Sequence, residues 1–286
     1  AGSNLPDASL TQKGVVQLSN SITSTSEVLA ATPKAVKTVN DAALQKSANL
    51  SDLTSVPTAL ANLGVSPHGF SRFTSSGSFI VPEGVFTIWV SGCAAGGGGG
   101  SSLATNSSSF VTGGSGGGAG QPVIRFPITV TPGQVIPVTI GIGGTGGTAA
   151  TNNGTAGGNT QLGVGGALLN LVGGSPGILG GGGTTYPANY GGPEGGAGYP
   201  AGGSAQDTTV FAVRMAAGGQ GGQGASGPFG QAGVFVRGAS DNNDPGAAGF
   251  GYGAGGSGSG GAYASSRTSP GGTGASGLNG LLIIEW

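Results

Sequence analysis

Apolar positions are sparse and grouped over the first 70 residues. Val15, Val16 and Leu18 follow Gly14 as a brief extended run. Thr32-Pro33 sets an N-cap residue before a proline suited to the first helical position, and Val36, Val39 and Ala43 recur at helical spacing. That pattern predicts a helix reaching about Lys46. A second helical start is expected at Asn49 to Ser51, with Leu53, Leu60 and Leu63 apolar and Gly64 as its C-cap. So few large apolar groups make a core of its own marginal, so this segment is expected to associate with copies of itself, the alternative being a small helical module packing on itself.

Beyond Phe79 the period changes to two. Pro82-Glu83-Gly84 separates two apolar runs, and Phe86, Ile88 and Val90 alternate toward one face. Ile124, Phe126, Ile128 and Val130 are likewise predicted inward, Pro132-Gly133 suits a type II turn, and Ile136, Val138 and Ile140 return, which predicts a hairpin. Further short strands are expected at Leu168 to Val172, Val210 to Arg214, Val234 to Val236 and Leu281 to Trp286.

Composition explains what lies between these strands. Glycine supplies 67 of 286 residues, and only Gly2, Gly14, Gly64 and Gly69 fall within the first 70. The chain therefore divides near Pro67 into a segment 1–70 and a glycine-rich segment 71–286. Collagen is excluded, because runs such as Gly180-Gly181-Gly182-Gly183-Thr184-Thr185-Tyr186 break the strict third-residue period. Disordered linker would not be punctuated by strand-like segments at intervals. A bundle of polyproline-II-type glycine helices accounts for that punctuation, with disordered tracts as the alternative. Such a helix makes no internal hydrogen bonds, so its amides and carbonyls bond laterally, and chains without side chains approach closely enough to do so. Gly182 is expected to be one such tract-interior position. The expected fold class is mainly β and irregular: short N-terminal helical and strand elements, a small β-sheet region, and packed glycine helices.

Charge removes several functions. Charged residues make up 7% of the chain and the net charge is −1, so no basic face exists to displace counterions from nucleic acid. No run of about 18 apolar residues is present to span a bilayer as a helix. Nor does the sequence open with a basic stretch leading into an apolar one, so no signal peptide is visible; Ala1-Gly2-Ser3 has the look of a cloning remnant. Cys93 is the single cysteine, which precludes an internal disulfide or a cysteine-built zinc site, and is best explained as a small buried apolar residue.

Catalytic patterns are weak. Gly-x-Ser-x-Gly at 113–117 and 173–177 is what chance yields in this composition, and His68 is the only histidine available to a triad. No lysine follows Lys46, so no P-loop exists. Asp241-Asn242-Asn243-Asp244-Pro245-Gly246 resembles a calcium loop except that Pro245 occupies a ligand position, which favours a solvated turn. Glycan cleavage needs two carboxyls about 5 to 10 Å apart. After residue 70 only Glu83, Glu194, Asp207, Asp241, Asp244 and Glu285 carry them. No enzyme activity, cofactor or metal is expected.

Side chains suited to recognition concentrate between glycine tracts, in 103–111, 184–190, 194–200, 206–210, 229–235, 237–245 and 262–270. Aromatic faces there can stack on sugars or apolar loops while amides and hydroxyls add directional hydrogen bonds. The densest set is Tyr186, Asn189, Tyr190 and Tyr199, followed by Arg237, Asp241, Asn242, Asn243, Tyr263 and Arg267.

Three stretches resemble a known family. Ala8-Ser9-Leu10-Thr11-Gln12-Lys13-Gly14-Val15-Val16-Gln17-Leu18 with Ser26-Glu27-Val28-Leu29-Ala30-Ala31-Thr32-Pro33-Lys34-Ala35-Val36-Lys37 resembles the tail-fibre repeat of tailed bacteriophages and phage-tail-like particles. Asn49-Leu50-Ser51-Asp52-Leu53 with Thr58-Ala59-Leu60-Ala61-Asn62-Leu63-Gly64 is similar to a segment that follows it in many such fibres. The stretch from Phe73 through Trp89-Val90-Ser91-Gly92-Cys93 and Gly96 to Gly100, closing on Leu281-Leu282-Ile283-Ile284-Glu285-Trp286, resembles glycine-rich receptor-binding tips, T-even adhesins among them. The resemblance implies an elongated homotrimer at a fibre end, with 1–70 as the last piece of shaft and 71–286 as the tip. It further implies host adhesion at the bacterial outer surface, with lipopolysaccharide or an outer-membrane protein as receptor and a tail-fibre assembly chaperone as a further partner. The competing function is that of a structural or ice-binding glycine slab, for which a shaft repeat would have no use.

Overall fold

The computed structural model describes residues 6–48, 50–65, 67–105, 109–183, 191–212, 215–238, 244–264, 268 and 270–286. Two compact units divide between Val65 and Ser66. No helix among the described residues is long and apolar enough to cross a membrane.

In the first unit, β1 (Gln17–Ser19) pairs in parallel with β2 (Leu29–Ala31). Helix α1 (Pro33–Ala42) begins where the sequence requires: the Thr32 hydroxyl accepts the Ala35 amide at 3.2 Å. It stops before Lys46, because Ala43 is already extended at ψ 146°. The second helix, α2 (Val56–Asn62), is capped by Ser55 and not by residues 49–51. Ser55 accepts the Thr58 amide, and Pro57 fits the first turn, where no amide is needed.

The second unit opens with β3 (Phe70–Phe73), β4 (Gly77–Ile80), β5 (Thr87–Cys93), β6 (Ser109–Val111), β7 (Pro122–Thr129) and β8 (Val135–Thr139). There follow β9 (Thr160–Leu162), β10 (Leu169–Leu171), β11 (Gly182–Gly183), β12 (Thr209–Ala212) and β13 (Met215–Ala217). The last are β14 (Gly230–Gln231), β15 (Phe250–Gly251), β16 (Tyr263–Ala264) and β17 (Leu281–Glu285). Two antiparallel sheets, ordered β3-β17-β5-β7 and β10-β9-β8-β4, share one core. Ile88, Val90, Leu282 and Ile284 meet Phe79, Ile136, Val138 and Leu162 there. At roughly 1.5–3 kcal/mol for each such side chain, this core anchors the unit.

The expected hairpin is absent. Gln134 does donate to the Thr131 carbonyl at 3.0 Å and Gly133 does take φ +76°, but β7 and β8 enter different sheets. The Pro82–Val85 turn likewise carries the chain from β4 in one sheet to β5 in the other. Both turns are arches, because their flanking apolar faces bury each other across the core instead of lying side by side.

The alternation is also interrupted. Opposite Ser91, β7 carries a bulge in which Arg125 adopts φ +48° and donates its amide to the Ser91 hydroxyl at 2.9 Å. The extra residue reverses the phase, so Ile124 points out and is 67% exposed while Ile128 is buried. Phe126 remains half exposed. Phe86 precedes the first paired residue of β5 and is exposed, with Val85 taking the inward place. Val234 to Val236 belongs to no strand; it lies along the glycine array, with Val234 exposed.

The glycine tracts form an ordered lattice. In residues 95–102 the amides of Ala95, Gly98 and Ser101 donate to the carbonyls of Gly158, Thr155 and Asn152. Those of Gly96, Gly99 and Ser102 donate to Leu278, Ala275 and Gly272, and those of Gly97 and Gly100 to Gly118 and Ser115. The same tract accepts from Gly144, Gly174 and Gly256, each on a further tract. Every third residue thus faces the same neighbour, and six tracts surround this one. An ideal Cβ on Gly98 would fall well inside 3.0 Å of the Thr145 carbonyl oxygen, so the lattice spacing is one that only glycine permits. Where no backbone acceptor is in reach, side chains supply it: Gly143 donates to Asn279 Oδ1 at 2.8 Å and Gly173 to Asn159 Oδ1 at 3.1 Å. Gly182 is not interior. It lies in exposed β11, where an added Cβ would stand 3.3 Å from the Phe110 carbonyl oxygen and from Val111 Cγ2.

Candidate functional site

The lattice has two unlike ends. At one, tracts run directly into the sandwich strands: Ala94 follows β5, Gln121 precedes β7, Val172 follows β10 and Gly280 precedes β17. Ala94 donates to Gln121 and Gln121 to Val172 at that end. At the other end Ser101 donates to Asn152, Leu103 to Gly180, Thr112 to Gly181 and Gly261 to Gly219. Tract direction then dictates where the connections emerge. Six leave and return at this far end: 104–111, 148–152, 181–191, 207–218, 238–244 and 262–271.

A small sheet ordered β11-β6-β16 caps the far end. Phe110, on the central strand, lies directly opposite Tyr263, and their rings sit 4.7 Å apart with a 36° tilt. Such a tilted aromatic pair is favourable beyond its buried area. Beside it, β12 and β13 pair as an antiparallel hairpin. Asp207 Oδ1 accepts the Thr208 amide at 2.7 Å, and its Oδ2 accepts the Gly191 amide at 3.4 Å, which ties two connections together at their base. Arg237 is exposed at the end of its tract. The Gly260 amide donates to the Asp244 carbonyl at 2.8 Å and fixes the following connection. Among the described residues no three His, Cys, Asp or Glu side chains gather as a metal site.

The candidate set is thereby divided. Tyr263 and Arg237 lie at the far end. Tyr199 does not: its amide donates to Ala119 at 2.9 Å, near the sandwich, and it is 50% exposed there. Phe229 shares that near end, since Tyr252 donates to Phe229 and Gly120 to Gly253, while Val236 lies farther along the lattice as acceptor of the Gly221 amide. Tyr186, Asn189, Tyr190, Asp241, Asn242, Asn243 and Arg267 lie outside the described residues. The described residues flanking them, Gly183 and Gly191, Gly238 and Asp244, Ala264 and Thr268, bracket three far-end connections.

Two features escaped the sequence pattern. Phe110 is an isolated aromatic in a serine-rich stretch, and only its register opposite Tyr263 singles it out. The 148–152 turn carries Asn152 at φ +63° and is held by the Thr151 hydroxyl accepting the Thr148 amide at 3.0 Å. Two arginines prove to belong to the sandwich. Arg72 donates to the Tyr252 hydroxyl at 2.6 Å, and Arg125 lies over the Trp89 ring and 3.5 Å from Glu285.

Comparison with known proteins bears on both units. A phage tail fibre repeat matches residues 9–49, and a glycine-rich domain matches residues 74–285. The chain belongs to the glycine-rich domain family. Within this glycine-rich protein a 38-residue stretch is 68% identical to the probable tail fiber protein of Escherichia phage P2, covering 13% of the chain and 6% of the relative. A 35-residue stretch is 66% identical to the major tail fiber protein S of Escherichia phage P1, covering 12% of the chain and 14% of the relative. Similarity to tail fiber protein S of Escherichia phage Mu is 48% over 62 residues, 21% of the chain and 12% of that relative. The matches thus span less than a sixth of each of these longer proteins. Repeat and relatives together support a phage tail fibre protein, a component of the virion tail.

Proposed function

We propose that the far end of the glycine lattice is a host-recognition face, and that residues 71–286 form the tip and 1–70 the last shaft segment of a homotrimeric tail fibre. The observation carrying this reading is the topology: six connections converge on one end of a lattice whose own amides and carbonyls are already paired. A scaffold of that kind makes no demand on connection sequence, so those residues are free to match a receptor. We take the tracts to be polyproline-II helices, because a three-residue repeat of lateral bonds is what three residues per turn produces. The face carries the Phe110–Tyr263 ring pair together with Asp207, Arg237 and Asp244, and aromatic surface beside polar groups suits lipopolysaccharide sugars or an outer-membrane protein loop at the bacterial surface. An assembly chaperone would act during folding of the fibre and not at this face.

Adsorption of the purified protein to host cells tests the reading. Loss of binding to cells with truncated lipopolysaccharide identifies a glycan receptor; loss on porin deletion identifies a protein. Binding that survives replacement of all six far-end connections by glycine-serine turns would overturn it.

A further inference from the structure

The first unit carries an apolar groove with nothing of its own to fill it. Ile22, Ala31, Ala35, Val36 and Val39 line a hollow of about 460 Å³ between α1 and the end of β2. Ala35 is the only buried apolar residue among the described part of residues 6–65, while Ile22, Val36 and Val39 are 52%, 60% and 53% exposed. The opposite side of α1 is marked as solvent-facing by the exposed Lys37–Asp41 ion pair at 2.7 Å. A unit of this size without a core does not persist alone, so the groove must be covered.

The same unit presents a knob. Leu18 pairs with Ala30 in the β1-β2 register, and Ala30 precedes the groove residue Ala31. Strand alternation therefore puts Leu18 on the face opposite the groove, where it is 64% exposed. A hole on one face and an aliphatic knob on the other cannot satisfy each other within one chain. Between copies they can, and a head-to-tail contact of this kind closes into a ring when its rotation is a whole fraction of a turn, as in a trimer.

We propose that the groove of each copy receives Leu18 of a second copy, so that shaft units join heterologously around a symmetry axis. The inference rests on the homotrimer reading and specifies its contact. Leu18→Cys combined with Val36→Cys in the full chain, oxidised with copper phenanthroline, should give covalent oligomers up to trimer on a non-reducing gel. Each single variant should give no such ladder, and Cys93 does not compete because it is buried. In light scattering, Leu18→Asp should raise the apparent dissociation constant at least tenfold, and Leu18→Met should leave it unchanged. A monomer mass for the unmodified chain overturns the trimer reading itself. A trimer mass with no linkage in the double variant, or an undiminished trimer in Leu18→Asp, leaves the trimer standing and overturns this contact.

Discussion

Phe110 and Tyr263 face each other across β6 and β16 with ring centroids 4.7 Å apart, the one described aromatic pair at the far end of the lattice. If that end recognises the host, truncating either ring removes aromatic contact surface from it. Phe110→Ala or Tyr263→Ala should weaken adsorption about tenfold or more, equivalent to about 1.4 kcal/mol. Tyr199→Ala, at the opposite end, should leave adsorption unchanged. Equal loss in all three variants, measured with purified protein on host cells, would remove the distinction between the ends.

Glycine tolerance should follow the lattice and not the composition. Gly98→Ala drives a Cβ into the Thr145 carbonyl and separates tracts whose amides are then unpaired. At about 1–3 kcal/mol for each buried group left unsatisfied, a loss of roughly 3 kcal/mol or more is expected, on the order of 10 °C in thermal midpoint. Gly182→Ala, with its nearest neighbours at 3.3 Å, should cost less than about 1 kcal/mol. Calorimetry of the two variants decides between an ordered lattice and loose tracts.

Two buried serines two residues apart should behave oppositely. Ser257 Oγ accepts the Ala247 amide at 2.9 Å and donates to the Ala247 carbonyl at 2.8 Å. Ser257→Ala leaves both groups unpaired and should cost about 1–3 kcal/mol. The Ser259 hydroxyl is buried with no hydrogen-bond partner among the described residues. Ser259→Ala removes a desolvated polar group and should be neutral or stabilising by about 1 kcal/mol. Denaturant midpoints compare the two directly.

Burial pushes the Cys93 thiol from 9.0 up to about 11, opposed in part by a backbone hydrogen bond from Leu281. The native protein should therefore resist a maleimide at pH 8 and react once unfolded. Because the folded value lies above the unfolded one, the protonated thiol's contribution is complete below about pH 9 and is lost as pH rises toward 11. Cys93→Ala should flatten the fall in stability across that window, followed by chemical denaturation.

Local chemistry alone determined the Thr32 cap of α1, the turns at Gly84 and Gly133, the strand at Leu281–Glu285 and the division between a glycine-poor and a glycine-rich part. Each depends on residues a few positions apart. Tertiary structure decided everything that depends on which distant segment lies alongside. Period-two patterns flanking Pro132-Gly133 fit a hairpin and an arch equally well, and burial of Ile128 against the facing sheet selected the arch. The Arg125 bulge reversed an alternation that looked regular, because one extra residue opposite Ser91 changes which face every earlier side chain meets. Glycine tracts carry no side-chain pattern from which to read their neighbours; their order resides in backbone hydrogen bonds whose partners are set only when the tracts pack. For the same reason Tyr199 and Tyr263 look alike as tyrosines in connections between tracts, and only the direction of the tracts that hold them puts one beside the sandwich and the other on the far face.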